Sequence, residues 1–281
     1  MYRCLFYFLA LFSSFGIEAP IFSMTLHSKS INNDKLIPPE FIKDFVKKFN
    51  PKMLHILDYS KTEGQKVFLI RGNLPIIGDN FCYDLLKSSI KDLIVQSGLS
   101  IKNNFKLVDI SFLSSLLEEK ELQIEKDWFR QNPETGICIH RPIYGTSSNP
   151  LTMEEPFCTL LANQNIDGLR ELIHSLKKAM CTPLYPGEDT VIYIHCTAGK
   201  DRTGEVSAAY LMENKNLSYS EVTELNREIA GRNLYINQAN AICWYALYLR
   251  DCKNCSWIGP VFDDTSSNSP YNLLQKLEED C

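Results

Sequence analysis

The chain has 281 residues, 44% of them hydrophobic and 11% aromatic, which is enough apolar material to bury a core without help from metals or oligomerisation. Its 29 Lys and Arg against 34 Asp and Glu give a formal net charge of −5, which excludes a general affinity for the nucleic-acid backbone. Disordered, collagen-like and coiled-coil compositions are excluded as well.

Along the chain, Met1-Tyr2-Arg3 carries one positive charge ahead of the apolar run Cys4 to Phe12, and Ser13-Ser14-Phe15-Gly16-Ile17-Glu18-Ala19 follows with small residues at Ser13, Ser14, Gly16 and Ala19. This is the pattern of a secretory signal peptide over residues 1–19, since a bilayer span needs ~20 apolar residues. Cleavage is open between Gly16 and Ala19. The expected destination is the periplasm or the extracellular space, with a membrane anchor through an uncleaved segment as the alternative. No later segment is long and apolar enough to span a membrane, and no linker or repeat divides the rest, so residues 33–281 read as one domain.

Phe41, Phe45 and Phe49 share one face of a helix over Glu40 to Phe49. Lys66 to Ile70 is a strand ended by the turn Arg71-Gly72-Asn73-Leu74-Pro75, and Cys82 to Ser97 is a helix closed by Gly98. Phe105 to Ile110 is a second strand; Leu116 to Lys126 reads as a solvated helix, and Ile137 to Ile139 as a short strand. Gly168 to Met180 places Leu169, Leu172, Ile173, Leu176 and Met180 on one helix face. Thr190 to Ile194 is apolar without alternation, as expected of a strand covered on both faces and central in a sheet. Three helices follow: Thr203 to Asn214, a second opened by the capping box Ser218-x-x-Glu221 and closed by Gly231, and Asn237 to Asp251. Alternating strands and helices with a helical C-terminal half make an α/β domain with a central, mainly parallel sheet flanked by helices.

Export would turn the ten cysteines into disulfide material. Loss of Cys4 with the signal leaves an odd set, so up to four disulfides form beside one unpaired thiol, with Cys252-x-x-Cys255 suggesting a local pair. A zinc site is the rival reading of that motif, but no second CxxC and no H-x-x-x-H partner exists, so neither a metal nor another cofactor is expected.

Between the central strand and the next helix lies His195-Cys196-Thr197-Ala198-Gly199-Lys200-Asp201-Arg202-Thr203-Gly204. A strand ending in a nucleophile, a tight loop and a helix N-terminus lets successive backbone N–H groups from Thr197, Ala198, Gly199, Lys200, Asp201 and Arg202 converge on an oxyanion. At a helix N-terminus Cys196 is expected as a thiolate nucleophile. Arg202 offers a planar fork to two phosphate oxygens, and Gly199 permits the backbone turn that closes the loop. The Thr203 hydroxyl can stabilise the sulfur as leaving group, and His195 supports the loop through hydrogen bonds to backbone. A Walker loop is excluded, because Ile194 and Asp201 stand where that motif needs Gly and Ser or Thr.

HCTAGKDRTG resembles the cysteine-dependent protein tyrosine phosphatase superfamily, whose signature is HCxxGxxR[ST], and is most similar to the Gly-Lys-Asp-Arg-Thr branch with secreted bacterial tyrosine and lipid phosphatases; dual-specificity phosphatases are more loosely similar. Lys66 to Pro75 and Phe105 to Ile110 resemble the strands that open the domain in several of these families. The resemblance implies metal-independent phosphomonoester hydrolysis through a cysteinyl phosphate, on phosphoprotein, above all phosphotyrosine, or on phosphoinositide and inositol phosphate. It also implies an Asp as general acid. There is no Trp-Pro-Asp; Asp201 in the loop is the first candidate and Asp167, 29 residues before Cys196, the second, although an Asp before a helix also serves as a cap. Lys200 adds a second cation that favours polyanionic substrates. Around the start of the last helix the resemblance implies a glutamine that positions the hydrolytic water, with Gln238 and Asn240 as its candidates, although capping and surface roles are the commoner reading of either. Two other readings of the fold are a non-catalytic phosphoryl-binding module and a disulfide-rich extracellular interaction protein; the second demands that Cys196 be bridged.

Overall fold

The computed structural model describes residues 49–262 except 63 and 183, and the side chain of residue 155 is not described. The signal segment, most of the helix expected over Glu40 to Phe49, and Cys281 lie outside the described residues.

Seven strands and seven α-helices are described: β1 (His55–Thr62), β2 (Gln65–Asn73), β3 (Ile76–Ile77), β4 (Asn80–Phe81), α1 (Tyr83–Gln96), β5 (Lys106–Ser111), α2 (Glu119–Gln131), β6 (Gly136–His140), α3 (Glu155–Leu161), α4 (Leu169–Cys181), β7 (Thr190–Cys196), α5 (Asp201–Lys215), α6 (Tyr219–Ala230) and α7 (Ile236–Leu247). Five strands form one sheet in the order β1-β2-β7-β5-β6, and β3 and β4 pair as a small separate hairpin. β2, β7, β5 and β6 are parallel, and β1 adds to the edge in antiparallel register with β2.

The apolar run at Thr190–Cys196 is indeed the central strand, buried at every position. Its alternate side chains enter two separate cores. Val191 and Tyr193 pack with Phe68, Ile70, Leu86 and Ile90 against α1 and α2. Ile192 and Ile194 pack with Leu69, Ile110, Leu172 and Val206 against α4, α5 and α7. A strand sandwiched between two helical layers has no polar face, which is why it lacks alternation. The parallel strands all deliver their C-terminal ends to one edge of the sheet, where β7 hands the chain to α5.

Two expectations are corrected. The helix expected at Leu116 to Lys126 is α2, which starts three residues later and runs to Gln131; only one of its faces is solvated, since it buries Leu122, Glu125 and Phe129, and Leu116 and Leu117 stay outside it and exposed. The eight cysteines among the described residues are all unbridged, including Cys196, Cys252 and Cys255, so no disulfide network is present there. Cys158, Cys196 and Cys243 sit fully buried in the larger core, where a thiol behaves as a small apolar side chain. The Cys252–Cys255 step is instead closed by backbone, Cys255 N–H donating to the Leu249 carbonyl at 2.9 Å. No described helix is long and apolar enough to cross a membrane.

Candidate active site

β7 ends at Cys196 and α5 starts at Asp201, so only four residues turn the chain from the sheet edge into the helix. The turn succeeds because Gly199 takes φ +68°, and a Cβ there would stand 2.4 Å from the Gly72 carbonyl oxygen. The loop is thus pressed onto the end of β2, with Leu74 N–H bonded to the Thr197 carbonyl at 3.3 Å. Cys196 is 2% exposed and lines a pocket of about 700 Å³ with Thr197, Ala198, Lys200, Asp201 and Arg202. The sequence-predicted loop residues therefore converge on one cavity, with the nucleophile beneath the N-terminus of α5. Thr203 lies fully buried below the loop, and its hydroxyl makes no hydrogen bond among the described residues.

Arg202 is held by a residue that the sequence reading did not single out. Its Nη1 and Nη2 donate to the two carboxylate oxygens of Glu118 at 2.6 and 2.8 Å, and Nη1 also donates to the Phe112 carbonyl at 3.0 Å. Burial opposes the Glu118 charge, but the bonds from Arg202, Thr197 and the Ser114 N–H overcome it and lower its pKa to about 2. Burial likewise disfavours the Arg202 cation, and the Glu118 contact outweighs it, raising that pKa. With both Nη atoms tied on one side, the guanidinium keeps a fixed plane and presents its remaining edge to a ligand. Glu118 stands immediately before α2, in a stretch of mixed charges that gave no period to mark it.

The two acid candidates separate in space. Asp201 lines the pocket. Its carboxylate accepts from Arg232 Nη1 and Nη2 at 2.9 and 2.7 Å and from the Tyr235 N–H at 2.8 Å. Asp167 is not among the pocket-lining residues: it adopts φ +54° and its Oδ2 accepts from the Tyr144 and Gly145 N–H groups at 2.8 and 2.6 Å. It holds the loop at 144–145, which forms a wall of the pocket, rather than the helix that the cap reading assigned to it. Behind it, burial and then the Asp167 charge push the fully buried Glu205 well above the usual carboxylate range. Gln238 and Asn240 also separate. Gln238 lines the pocket and donates to the Tyr144 carbonyl at 2.9 Å, whereas Asn240 donates to the Thr146 carbonyl and faces another cavity.

His195 supports the loop, but through carboxylates instead of backbone. Its Nε2 lies 3.1 Å from Asp109 Oδ1 and 3.4 Å from Glu125 Oε1, all three side chains being fully buried. Burial alone would strip the imidazole of its proton; the Glu125 and Asp109 charges outweigh it and raise the pKa to about 9. Burial raises that of Glu125, with His195 opposing. Asp109, Glu125 and Cys138 bring one ligand atom each within 4.8 Å of one another, a set able to hold a metal ion among the described residues. The His195 ring lies against the same two acidic side chains.

A family model described as "Tyrosine phosphatase family" matches residues 145–222, which include the whole loop. No curated protein matches the chain. Among solved structures, PTPMT1 in complex with PI(5)P is similar at 16% identity over 73% of this chain and 99% of that one, with a TM-score of 0.39. Tk-PTP in the active form gives 14% identity, 63% and 87% coverage and a TM-score of 0.33. TpbA of P. aeruginosa gives 17% identity, 66% and 86% coverage and a TM-score of 0.31. The tyrosine phosphatase family match covers the signature loop seated between the central parallel strand and its helix, so over residues 145–222 the chain is similar to that family.

Proposed function

We propose that the protein is a metal-independent phosphomonoester hydrolase that works through a cysteinyl phosphate. The carrying observation is that Cys196, the loop amides and the Glu118-held Arg202 share one open pocket. The Cys196 sulfur attacks phosphorus as the bond to the leaving oxygen breaks, and Asp201 gives its proton to that oxygen. Water then attacks phosphorus, the P–S bond breaks with its electrons returning to sulfur, and Asp201 takes the water's proton. Asp201 must release Arg232 before it can carry a proton, and an arriving phosphate dianion competes for that guanidinium. Gln238, as the amide side chain lining the pocket, is assigned to the hydrolytic water, and the unpartnered Thr203 hydroxyl at the start of α5 to the departing sulfur.

Lys200, Arg202 and Arg232 line the pocket with the carboxylates of Glu118 and Asp201, which pair with the two arginines and leave Lys200 as the surplus cation, while Leu117, Tyr144 and Tyr235 are exposed at 85%, 52% and 63% along its wall. A surplus cation within an apolar collar supports a phosphoinositide or other phosphorylated lipid, and phosphotyrosine is the second reading, supported by the tyrosine rings that could flank an aromatic substrate. The N-terminal segment supports export, which N-terminal sequencing of the mature chain would test. For the activity, the purified chain is expected to turn over p-nitrophenyl phosphate in EDTA, and Cys196→Ser to abolish it; no turnover in the wild type, or equal turnover in that variant, would overturn the cysteinyl-phosphate reading. For the substrate, kcat/KM on phosphoinositide vesicles is expected to exceed that on phosphotyrosyl peptides and to fall selectively in Lys200→Ala, and the reverse ranking favours the peptide.

A further inference from the structure

We infer that Arg71 is the positioning residue that holds the phosphate loop in its oxyanion-binding shape from behind. The inference rests on the phosphatase reading of the loop, but not on which substrate it takes.

Arg71 lies on β2 and is 0% exposed, although arginine is almost never fully buried without a partner. It forms no ion pair with a carboxylate among the described residues; the charge that supports it is Cys196, while burial lowers its pKa to about 10 and leaves it a cation at neutral pH. Its donors go to the loop. Nη2 donates to the Gly199 carbonyl at 2.9 Å and to the Lys200 carbonyl at 3.4 Å. Nη1 donates to Asn226 Oδ1 at 2.8 Å, and Asn226 Nδ2 donates in turn to the Gly204 carbonyl at 3.0 Å. One buried cation therefore fastens two carbonyls of the loop and, through an amide, the first turn of α5.

The consequence is geometric. A peptide unit is planar, so a carbonyl turned away from the pocket sends the N–H of the next residue the other way. Fixing the Gly199 and Lys200 carbonyls on Arg71 aims the Lys200 and Asp201 N–H groups at the site an oxyanion would fill. The Lys200 carbonyl also accepts from the Gly204 N–H at 2.8 Å in the first turn of α5, whereas the Gly199 carbonyl takes its bond from Arg71, and burying it unbonded would cost the loop its shape. A lysine could reach one acceptor but not fork between the loop and Asn226.

Arg71→Met and Arg71→Lys in the full chain test this, with circular dichroism as a check on folding. Three quantities are read: kcat on p-nitrophenyl phosphate, the affinity for tungstate as an inert oxyanion, and alkylation of Cys196 by iodoacetamide. Arg71→Met is expected to lose about a hundredfold in kcat and in tungstate affinity, comparable to the loss of oxyanion donors elsewhere, while Cys196 remains open to alkylation. Arg71→Lys falls between the two. A folded Arg71→Met with wild-type kcat and tungstate affinity overturns the inference. If that variant does not fold, Arg71→Lys decides, and wild-type tungstate affinity in it is the contrary result. Should the wild type bind tungstate but turn nothing over, the catalytic reading fails alone, and the tungstate comparison still judges Arg71.

Discussion

Arg202, Asp201, His195 and Arg71 are each fixed by a partner on a different element, and the partners set what each can do. Glu118 holds Arg202 with both oxygens, so Glu118→Gln keeps one acceptor while releasing the ionic grip. We expect kcat/KM to fall by about tenfold, near the 1.5–3 kcal/mol of a charge-assisted hydrogen bond, with folding intact; an unchanged kcat/KM contradicts the orienting role. The pairing is ionic far into acid. A carboxylate whose pKa is lowered from 4.5 to about 2 contributes stability that is present above 4.5 and lost only as pH falls through about 2. The His195 cluster has the opposite sign. An imidazole raised from 6.5 to about 9 contributes stability that is complete below 6.5 and lost as pH rises through about 9, and the raised Glu125 pulls the same way by holding a proton that the unfolded chain releases. The melting temperature should therefore fall from pH 6 to pH 9 and fall less in His195→Asn; a flat profile in the wild type would show that the imidazole is not held protonated.

At the scale of elements, the loop works because β2, β7 and α5 meet with no room to spare. Gly199→Ala adds a Cβ against the Gly72 carbonyl in a left-handed conformation, so activity should drop by about fivefold to 150-fold through strain of about 1–3 kcal/mol, and a fully active variant contradicts the packed loop. Away from the site, Ser218 caps α6 through its hydroxyl and Glu221 closes the capping box. Ser218→Ala should cost about 1 kcal/mol of stability and leave kcat/KM alone. That cap was legible in the sequence because it depends on two residues three apart. So were β7, from its unbroken apolar run, and α4, from its apolar stripe. β1 was not, because as an edge strand its side chains are half-buried and its pattern is blurred by Asp58 and Lys61. The Cys196 to Arg202 core of the site was legible for the same local reason as the cap. The roles of Glu118 and Arg71 were not, since they reach the loop across 84 and 128 residues of chain; in sequence Glu118 is one charge of a mixed run and Arg71 only the first residue of a turn.

For the whole molecule, ten cysteines and an exported-looking N-terminus suggested a fold stapled by disulfides, whereas two apolar cores on the faces of one sheet hold the described residues together. Thiol titration of the denatured, unreduced protein should find at least eight free groups, and fewer would restore the disulfide account. The central claim is that this fold exists to place Cys196 in line with a phosphoryl group, and acid quenching during turnover of p-nitrophenyl phosphate, followed by peptide mass spectrometry, tests it most directly. A phosphoryl adduct on the peptide containing Cys196, absent from Cys196→Ser, is the predicted result; steady turnover with the adduct on another residue, or with no adduct under conditions that trap a thiophosphate ester, would contradict it.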